Sequence, residues 1–236
     1  MRGTLAIALR ELKSYFASPV AYIVTAAFLV VTGYLFTLIL LYSREASLRY
    51  LFGNMSVLLL IVSPALTMRL LAEEQRTGTI ELLLTSPVRD REVVIGKFLA
   101  SLGLLAAMLG MTLFYPLLLF VYGHPDKGPI LSGYVGTLLL GASFLSIGLF
   151  ASSLTANQIV AAVLTFMGLL LFWLIGGAAD LAGPPLGDLL RYLAVDQNYN
   201  DFTAGVVDSK AVVYFISVVV VFMYATVRTL ESRRWR

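Results

Sequence analysis

The sequence predicts an all-α integral membrane protein with six transmembrane helices. An amphipathic helix precedes them in the membrane interface, and short helices lie outside the bilayer. Three observations predict this. Hydrophobic residues make up 59% of the 236 and charged residues 13%, with a mean hydropathy of +0.87, whereas a soluble domain holds roughly 45–50% apolar and about 25% charged residues. Crossing a bilayer takes about 20 predominantly apolar residues, and six segments meet that rule, near 20–42, 51–70, 98–122, 134–153, 157–179 and 211–230. Lys and Arg are also unevenly shared between the two sides that six crossings define. The side holding both termini, 69–97 and the 154–156 turn carries twelve, and the opposite side five. The positive-inside rule then puts both termini and the 69–97 segment in the cytoplasm. One membrane domain over 1–236 is the expected organisation.

In chain order, residues 1–18 come first. Leu5, Ala8, Leu9, Leu12 and Phe16 share a stripe, with Arg2, Arg10, Glu11 and Lys13 largely elsewhere. That pattern predicts a helix lying in the interface, with Tyr15 and Tyr22 at headgroup level; the alternative is a cytosolic extension of the first span. Pro19 marks the turn into the membrane. The first apolar run is too long for a signal-peptide core, so no cleavable leader is expected. Pro64 and Pro116 fall inside spans two and three, where each removes a backbone hydrogen bond and predicts a kink.

Between those spans lies the only long charge-dense run of the first 180 residues, Arg69–Lys97, with five basic and five acidic residues. Such a segment between apolar blocks is expected in water. Within it Thr79 suits a helix cap, Glu81 sits in the first turn where the dipole favours an anion, and Pro87 ends the helix. Ile80, Leu83 and Leu84 fall at i, i+3 and i+4 and form a small apolar face. Local pattern leaves two readings open, a charged loop with one turn of helix or a surface helix that grips another protein.

Residues 123–133 read as a short turn-rich loop. Small residues along span four (Gly141, Ala142, Ser146, Gly148, Ser152) permit close helix packing within the chain or across a dimer. Asn157 is placed to cap span five. In the 180–210 loop Leu186, Leu189, Leu190 and Leu193 predict a short amphipathic helix, and Phe202 with Val206 a second. With five aspartates and two basic residues the loop is acidic, suited either to an outer vestibule or to a solvated cap.

Composition and motifs exclude most chemistry. No cysteine is present, so disulfides, thiolate metal sites and cysteine nucleophiles are out. The net charge of +3 is too small to point to nucleic acid. Gly96-Lys97-Phe98 lacks the upstream glycine and the hydroxyl of a phosphate-binding loop. The single histidine, His124, stands in an external loop and makes neither a metal site nor a dyad. Ser143 has no histidine in any span to activate it and reads as a packing residue. Asp180, Arg69 and Lys97 sit near span ends, so no ionisable residue is placed at mid-membrane for ion coupling. What remains is a membrane domain without an engine of its own and with one cytoplasmic hook.

The run Glu73-Glu74-Gln75-Arg76-Thr77-Gly78-Thr79-Ile80-Glu81-Leu82-Leu83-Leu84-Thr85-Ser86-Pro87, followed by Val94-Ile95-Gly96-Lys97-Phe98, resembles the signature of type-2 ABC transporter permeases. More narrowly it resembles the gliding-motility-type (GldF-like) subgroup. Ser14-Tyr15-Phe16-Ala17-Ser18-Pro19-Val20-Ala21-Tyr22, Pro64-Ala65-Leu66-Thr67-Met68-Arg69, Ser152-Ser153-Leu154-Thr155-Ala156-Asn157-Gln158 and Leu230-Glu231-Ser232-Arg233-Arg234-Trp235 extend the likeness over nearly the whole chain. The last external loop departs from the subgroup: Asn198-Tyr199-Asn200-Asp201-Phe202 stands where a His-Phe element is expected.

The resemblance implies a six-span permease of a bacterial or archaeal inner membrane that dimerises, with itself or with a homologous permease. It also implies two copies of a separate ABC ATPase, which would carry the ATP and Mg, and no cofactor or catalytic residue in this chain. An auxiliary membrane protein with a large external domain often accompanies the subgroup. Residues 71–97 would be the coupling region, with a coupling helix around Ile80–Thr85. Its contact set would be Glu73, Glu74, Arg76, Gly78, Thr79, Ile80, Glu81, Leu83, Leu84 and Pro87. Glu73, Glu74, Arg76 and Glu81 would be polar contacts with the ATPase, and Ile80, Leu83 and Leu84 its apolar anchors. Two functions follow: an ATP-driven exporter permease, or a mechanical scaffold that relays ATPase motion to an external motility or envelope partner without moving a solute.

Overall fold

A computed structural model describes residues 2–43, 45–79, 89–181, 183 and 185–233. It is all-helical, with no strand among the described residues. In order the helices are α1 (Arg2–Ala17), α2 (Pro19–Ser43), α3 (Arg49–Thr67), α4 (Ala72–Thr77), α5 (Asp90–Thr112) and α6 (Phe114–Tyr122). They continue with α7 (Lys127–Leu154), α8 (Gln158–Leu181), α9 (Leu186–Leu193), α10 (Val195–Thr203) and α11 (Ser209–Arg233). Among the described residues six helical runs are long and apolar enough to cross a membrane, the third being α5 with α6.

Helix α7 is the axis. It is 72% buried over its most apolar window and α3 is 67% buried, against 17% for α2, 22% for α8 and 28% for α11. The small residues of α7 explain its place, and they act within the chain. A Cβ on Gly141 would collide with the Leu105 side chain, and one on Gly148 with that of Thr67. Ser143 Oγ donates across to the Phe215 carbonyl of α11 at 3.2 Å. Around this axis Phe28, Phe52, Met55, Leu59, Leu105 and Phe144 fill the core. The outer faces of α2, α8 and α11 keep aliphatic residues such as Val30, Leu171 and Val220 exposed, as lipid-facing surfaces do.

Local chemistry sets the breaks. Pro116 has no N–H for the carbonyl of Thr112, and the third span parts at Leu113; Tyr134 Oη donates to the freed Thr112 carbonyl at 2.9 Å. Pro64 lies within α3, three residues before its end. Asn157 Oδ1 accepts from Ile159 N at 2.9 Å and Val160 N at 3.4 Å, the expected cap of span five. Two expectations need correction. Residues 127–133 are helical rather than loop, because Asp126 caps α7 early by accepting from Gly128 N at 3.1 Å. The apolar stripe of α1 is divided: Leu5, Leu9 and Phe16 face outward, while Leu12 packs inward beside Ala8.

At the opposite end from α1, α10 is fastened to the axis. Tyr199 Oη donates to the Phe52 carbonyl at 3.1 Å and shares a hydrogen bond of 2.7 Å with Thr137 Oγ1. Ser132 Oγ donates to the Phe202 carbonyl at 2.7 Å, and the Phe202 side chain, fully buried, lies where a Cβ on Gly136 would stand. Of the leucine face read for α9, Leu186 and Leu189 are exposed, and Val206, read as part of α10, is exposed beyond its end.

Candidate coupling site

Helix α4 is the element that sequence reasoning missed, and the site is built on it. The third span also starts earlier than expected: α5 begins at Asp90, with Asp90 and Glu92 in its first turn, and Glu92 Oε2 accepts from Arg89 N at 3.3 Å. Lys97 is therefore two turns inside a helix. Beside it, Gly96 lets α1 come close, since a Cβ there would stand 2.8 Å from Ile7 Cγ2 and 3.1 Å from the Thr4 carbonyl.

That approach encloses the lysine. Its side chain is 1% exposed, and Nζ lies 2.7 Å from Glu74 Oε1 of α4 and 3.2 Å from Glu11 Oε1 of α1. The segment expected in water thus supplies two members, Glu74 and Lys97, of a buried ion triad that ties three helices together. Glu11 takes a second cation at its outer edge, Arg10 Nη2 at 3.1 Å. Breaking such a buried pair by deleting one partner costs about 3–5 kcal/mol, because the remaining charge is stranded.

A neutral staple fixes the start of α4. Where α3 turns into α4, the amides of Leu71 and Ala72 both point at Ser152 Oγ of α7, at 3.1 and 3.0 Å, and that hydroxyl donates to the Met68 carbonyl at 3.3 Å. Gln75 Nε2 donates to the Ser153 carbonyl at 2.9 Å, satisfying one of the carbonyls left open at the end of α7. Tyr15 of α1 closes the third side by donating to the Leu66 carbonyl at 2.7 Å. Burial pushes the Tyr15 phenol well above the usual tyrosine range; Glu11 adds to the rise and Arg69 opposes it.

The other face of α4 is open. Glu73 pairs with Arg69 at 3.4 Å and Arg76 at 3.9 Å, the three side chains being 40%, 40% and 63% exposed. A cleft of about 100 Å³ runs between α1 and this face, lined by Glu11, Ser14, Tyr15, Ser18, Arg69 and Glu73. Gly78 ends α4 in the left-handed region at φ +73°, a conformation a side chain would strain. Thr79 follows, exposed, with its hydroxyl 2.9 Å from that of Thr77. Of the contact set read from sequence, Glu73, Arg76, Gly78 and Thr79 lie at the open side, and Glu74 points inward, 17% exposed. Ile80, Glu81, Leu83, Leu84 and Pro87 lie outside the described residues.

The signal for the triad was present as anomalies of pattern. Glu11 sits four residues from Ile7 and from Tyr15, on the face by which α1 packs, and Lys97 interrupts the run Val93, Val94, Phe98, Ala100 that α5 buries. Opposite charges on two packing faces read together as partners.

The chain is similar to two relatives in Escherichia coli, the probable multidrug ABC transporter permease YbhS of strain K12 and that of O157:H7. It is 30% identical to each over 112 residues, 47% of this chain. The matched stretch is 29% of the length of those proteins. A family model described as ABC-2 family transporter protein matches residues 5–230, from α1 through α4 and the six candidate spans to within three residues of the end of α11. The chain belongs to the ABC-2 family of transporter proteins.

Proposed function

We propose that this chain is the transmembrane subunit of an ATP-driven ABC-2 exporter, moved by a separate ABC ATPase that docks on the face carrying α4. The observation that carries this reading is the double anchoring of α4, stapled to the axis helix by Ser152 and tied to α1 and α5 through Lys97. A push on the segment that leaves α4 at Gly78 then reaches four of the membrane-associated helices at once. The excess of Lys and Arg on that side, twelve against five, supports placing it in the cytoplasm. A working unit would pair two such chains, alike or homologous, with two ATPases, which bring ATP and Mg; the GldF-like signature supports an additional partner with a large external domain. The multidrug wording of the E. coli relatives supports an amphiphilic small molecule as cargo.

The test is reconstitution with the ATPase chain and comparison of wild type with Glu81→Lys/Leu83→Ala. The expected result is normal membrane insertion, retained basal ATP hydrolysis and loss of transport. Unchanged transport with unchanged ATPase co-purification would remove the reading. Hydrolysis that drives an external partner with no solute flux in wild type would favour the scaffold.

A further inference from the structure

We infer that Lys97, Glu74 and Glu11 form a latch that sets the angle of α4 against α1 and the third span, and that Glu74 is a positioning residue rather than a contact for the ATPase. This rests on the coupling role proposed above for the segment beyond Gly78.

Each member of the triad comes from a different helix, so the ammonium is the point where α1, α4 and α5 meet. Lys97 is shut away at 1% exposure, and both carboxylates are held at 17%, too enclosed to offer an incoming subunit much surface. Glu74 gives one oxygen to Lys97, and its other, Oε2, is buried without a hydrogen-bond partner among the described residues. The side chain is therefore committed inward with nothing else to hold it in place. The neighbouring residue shows the contrast: Glu73, 40% exposed, pairs with Arg69 and Arg76 on the open face. One turn of α4 thus separates two jobs, an outward face that can be touched and an inward carboxylate that fixes the helix.

The two attachments of α4 also differ in kind. The Ser152 hydroxyl holds the backbone at Leu71 and Ala72, at the very start of the helix. That attachment fixes where α4 begins, and the further tie to α7, from Gln75 Nε2 to the Ser153 carbonyl at 2.9 Å, runs through a long side chain that can follow a swing of the helix. Glu74, the third of the six residues of this short helix, is held from the other side by a charge. The staple is a pivot and the ion pair sets the angle. Without Lys97, a push at Gly78 would rotate α4 about Ser152 instead of moving α1 and α5.

The chain has no cysteine, so a pair of spin labels can be placed uniquely. The test uses Lys13→Cys on α1 and Thr77→Cys on α4, both exposed, in the full chain in lipid nanodiscs, with the distance distribution read by pulsed EPR. Wild type should give one narrow distribution. Lys97→Met, which keeps the aliphatic stem and deletes the charge, should broaden it, and the triple swap Glu11→Lys/Glu74→Lys/Lys97→Glu, which again sets one charge between two of opposite sign, should narrow it again. In the reconstituted complex Lys97→Met should cut transport by roughly tenfold or more, as misplacement of a working element does, with ATPase co-purification and basal hydrolysis unchanged. The swap should recover most of that transport.

An unchanged distance distribution in Lys97→Met would overturn the latch whether or not an ATPase docks, because that measurement needs no partner. A broadened distribution with full transport would overturn the role of the latch in coupling. If Lys97→Met does not fold, Glu74→Gln carries the same distance test. Loss of ATPase co-purification in Glu74→Gln with the distribution still narrow would return Glu74 to the docking surface and overturn the assignment.

Discussion

The two ends of this molecule solve one problem with different chemistry. At each, a short helix must be fastened to the axis formed by α3 and α7. The end bearing α10 is fastened by neutral groups, the Tyr199 phenol, the Ser132 and Thr137 hydroxyls and the Phe202 ring against Gly136, and its one inward carboxylate, Asp196, lies against Gly176 with no cation paired to it among the described residues. The end bearing α4 adds a buried ammonium between two carboxylates to its hydroxyl staple. Neutral contacts buried in apolar surroundings have little to gain by parting and no charge through which another molecule could address them. Ion pairs can be hydrated once opened, and they respond to any charge brought near. The α10 end is a fixed cap; the α4 end is a joint.

The sharpest way to break that contrast is to destroy the cap and look at the joint. Phe202→Ala empties a fully buried aromatic site and should cost about 3–5 kcal/mol. Hydrogen exchange should rise through 186–208 and stay at the wild-type level over α4. A matching rise at α4 would mean that the ends are one cooperative unit and that the distinction has no energetic content.

A smaller effect is expected from the neutral part of the joint. Ser152→Ala strands the amides of Leu71 and Ala72 in a buried place, at about 1–3 kcal/mol for an unsatisfied group. Those two amides should lose protection first, and the Lys97 contacts should keep the spin-label distance of α1 to α4 close to that of wild type. Loss of both would show that pivot and latch are not separate.

Sequence reasoning reached the parts governed by local rules. Hydropathy over about 20 residues places a span wherever its neighbours stand, and the Asn157 cap and the helices around Leu189 and Phe202 depend on residues within a turn or two. Pro116 predicted a distortion, and the structure resolves it into a break at Leu113. The joint was illegible for the converse reason. Glu11, Glu74 and Lys97 are separated by 63 and 23 positions, and only the approach of α1 at Gly96 turns a lysine near a span end into a buried one. The charge density of 69–97 argued for water, and no periodicity within it could say that one of its glutamates points inward. Helix α4 has six residues, too few for a period to show. Ser152 was read only as small, whereas its hydroxyl is what the α3–α4 turn requires.

The last and smallest difference separates the two ends by proton rather than by mutation cost. Each has a buried phenol, Tyr15 at the joint and Tyr199 at the cap, and burial pushes both above the usual tyrosine range, with Glu11 adding to the rise at Tyr15 and the Thr137 hydroxyl partly offsetting it at Tyr199. The folded protein then holds these protons more tightly than the unfolded chain does. The resulting stability is complete below pH of about 10, the ordinary tyrosine value, and is lost as the pH climbs above it. Tyr15→Phe and Tyr199→Phe each remove one hydrogen bond to a backbone carbonyl, about 1 kcal/mol at neutral pH, and each should flatten part of the alkaline fall in thermal stability. The two should diverge in where the loss is felt. Tyr199→Phe should raise exchange at Phe52 and α10 alone, whereas Tyr15→Phe should loosen α1 and broaden its distance to α4, since Tyr15 lies one turn beyond Glu11. A broadened α1–α4 distance in Tyr199→Phe would carry the disturbance across the whole axis and turn the fixed cap into a second moving part.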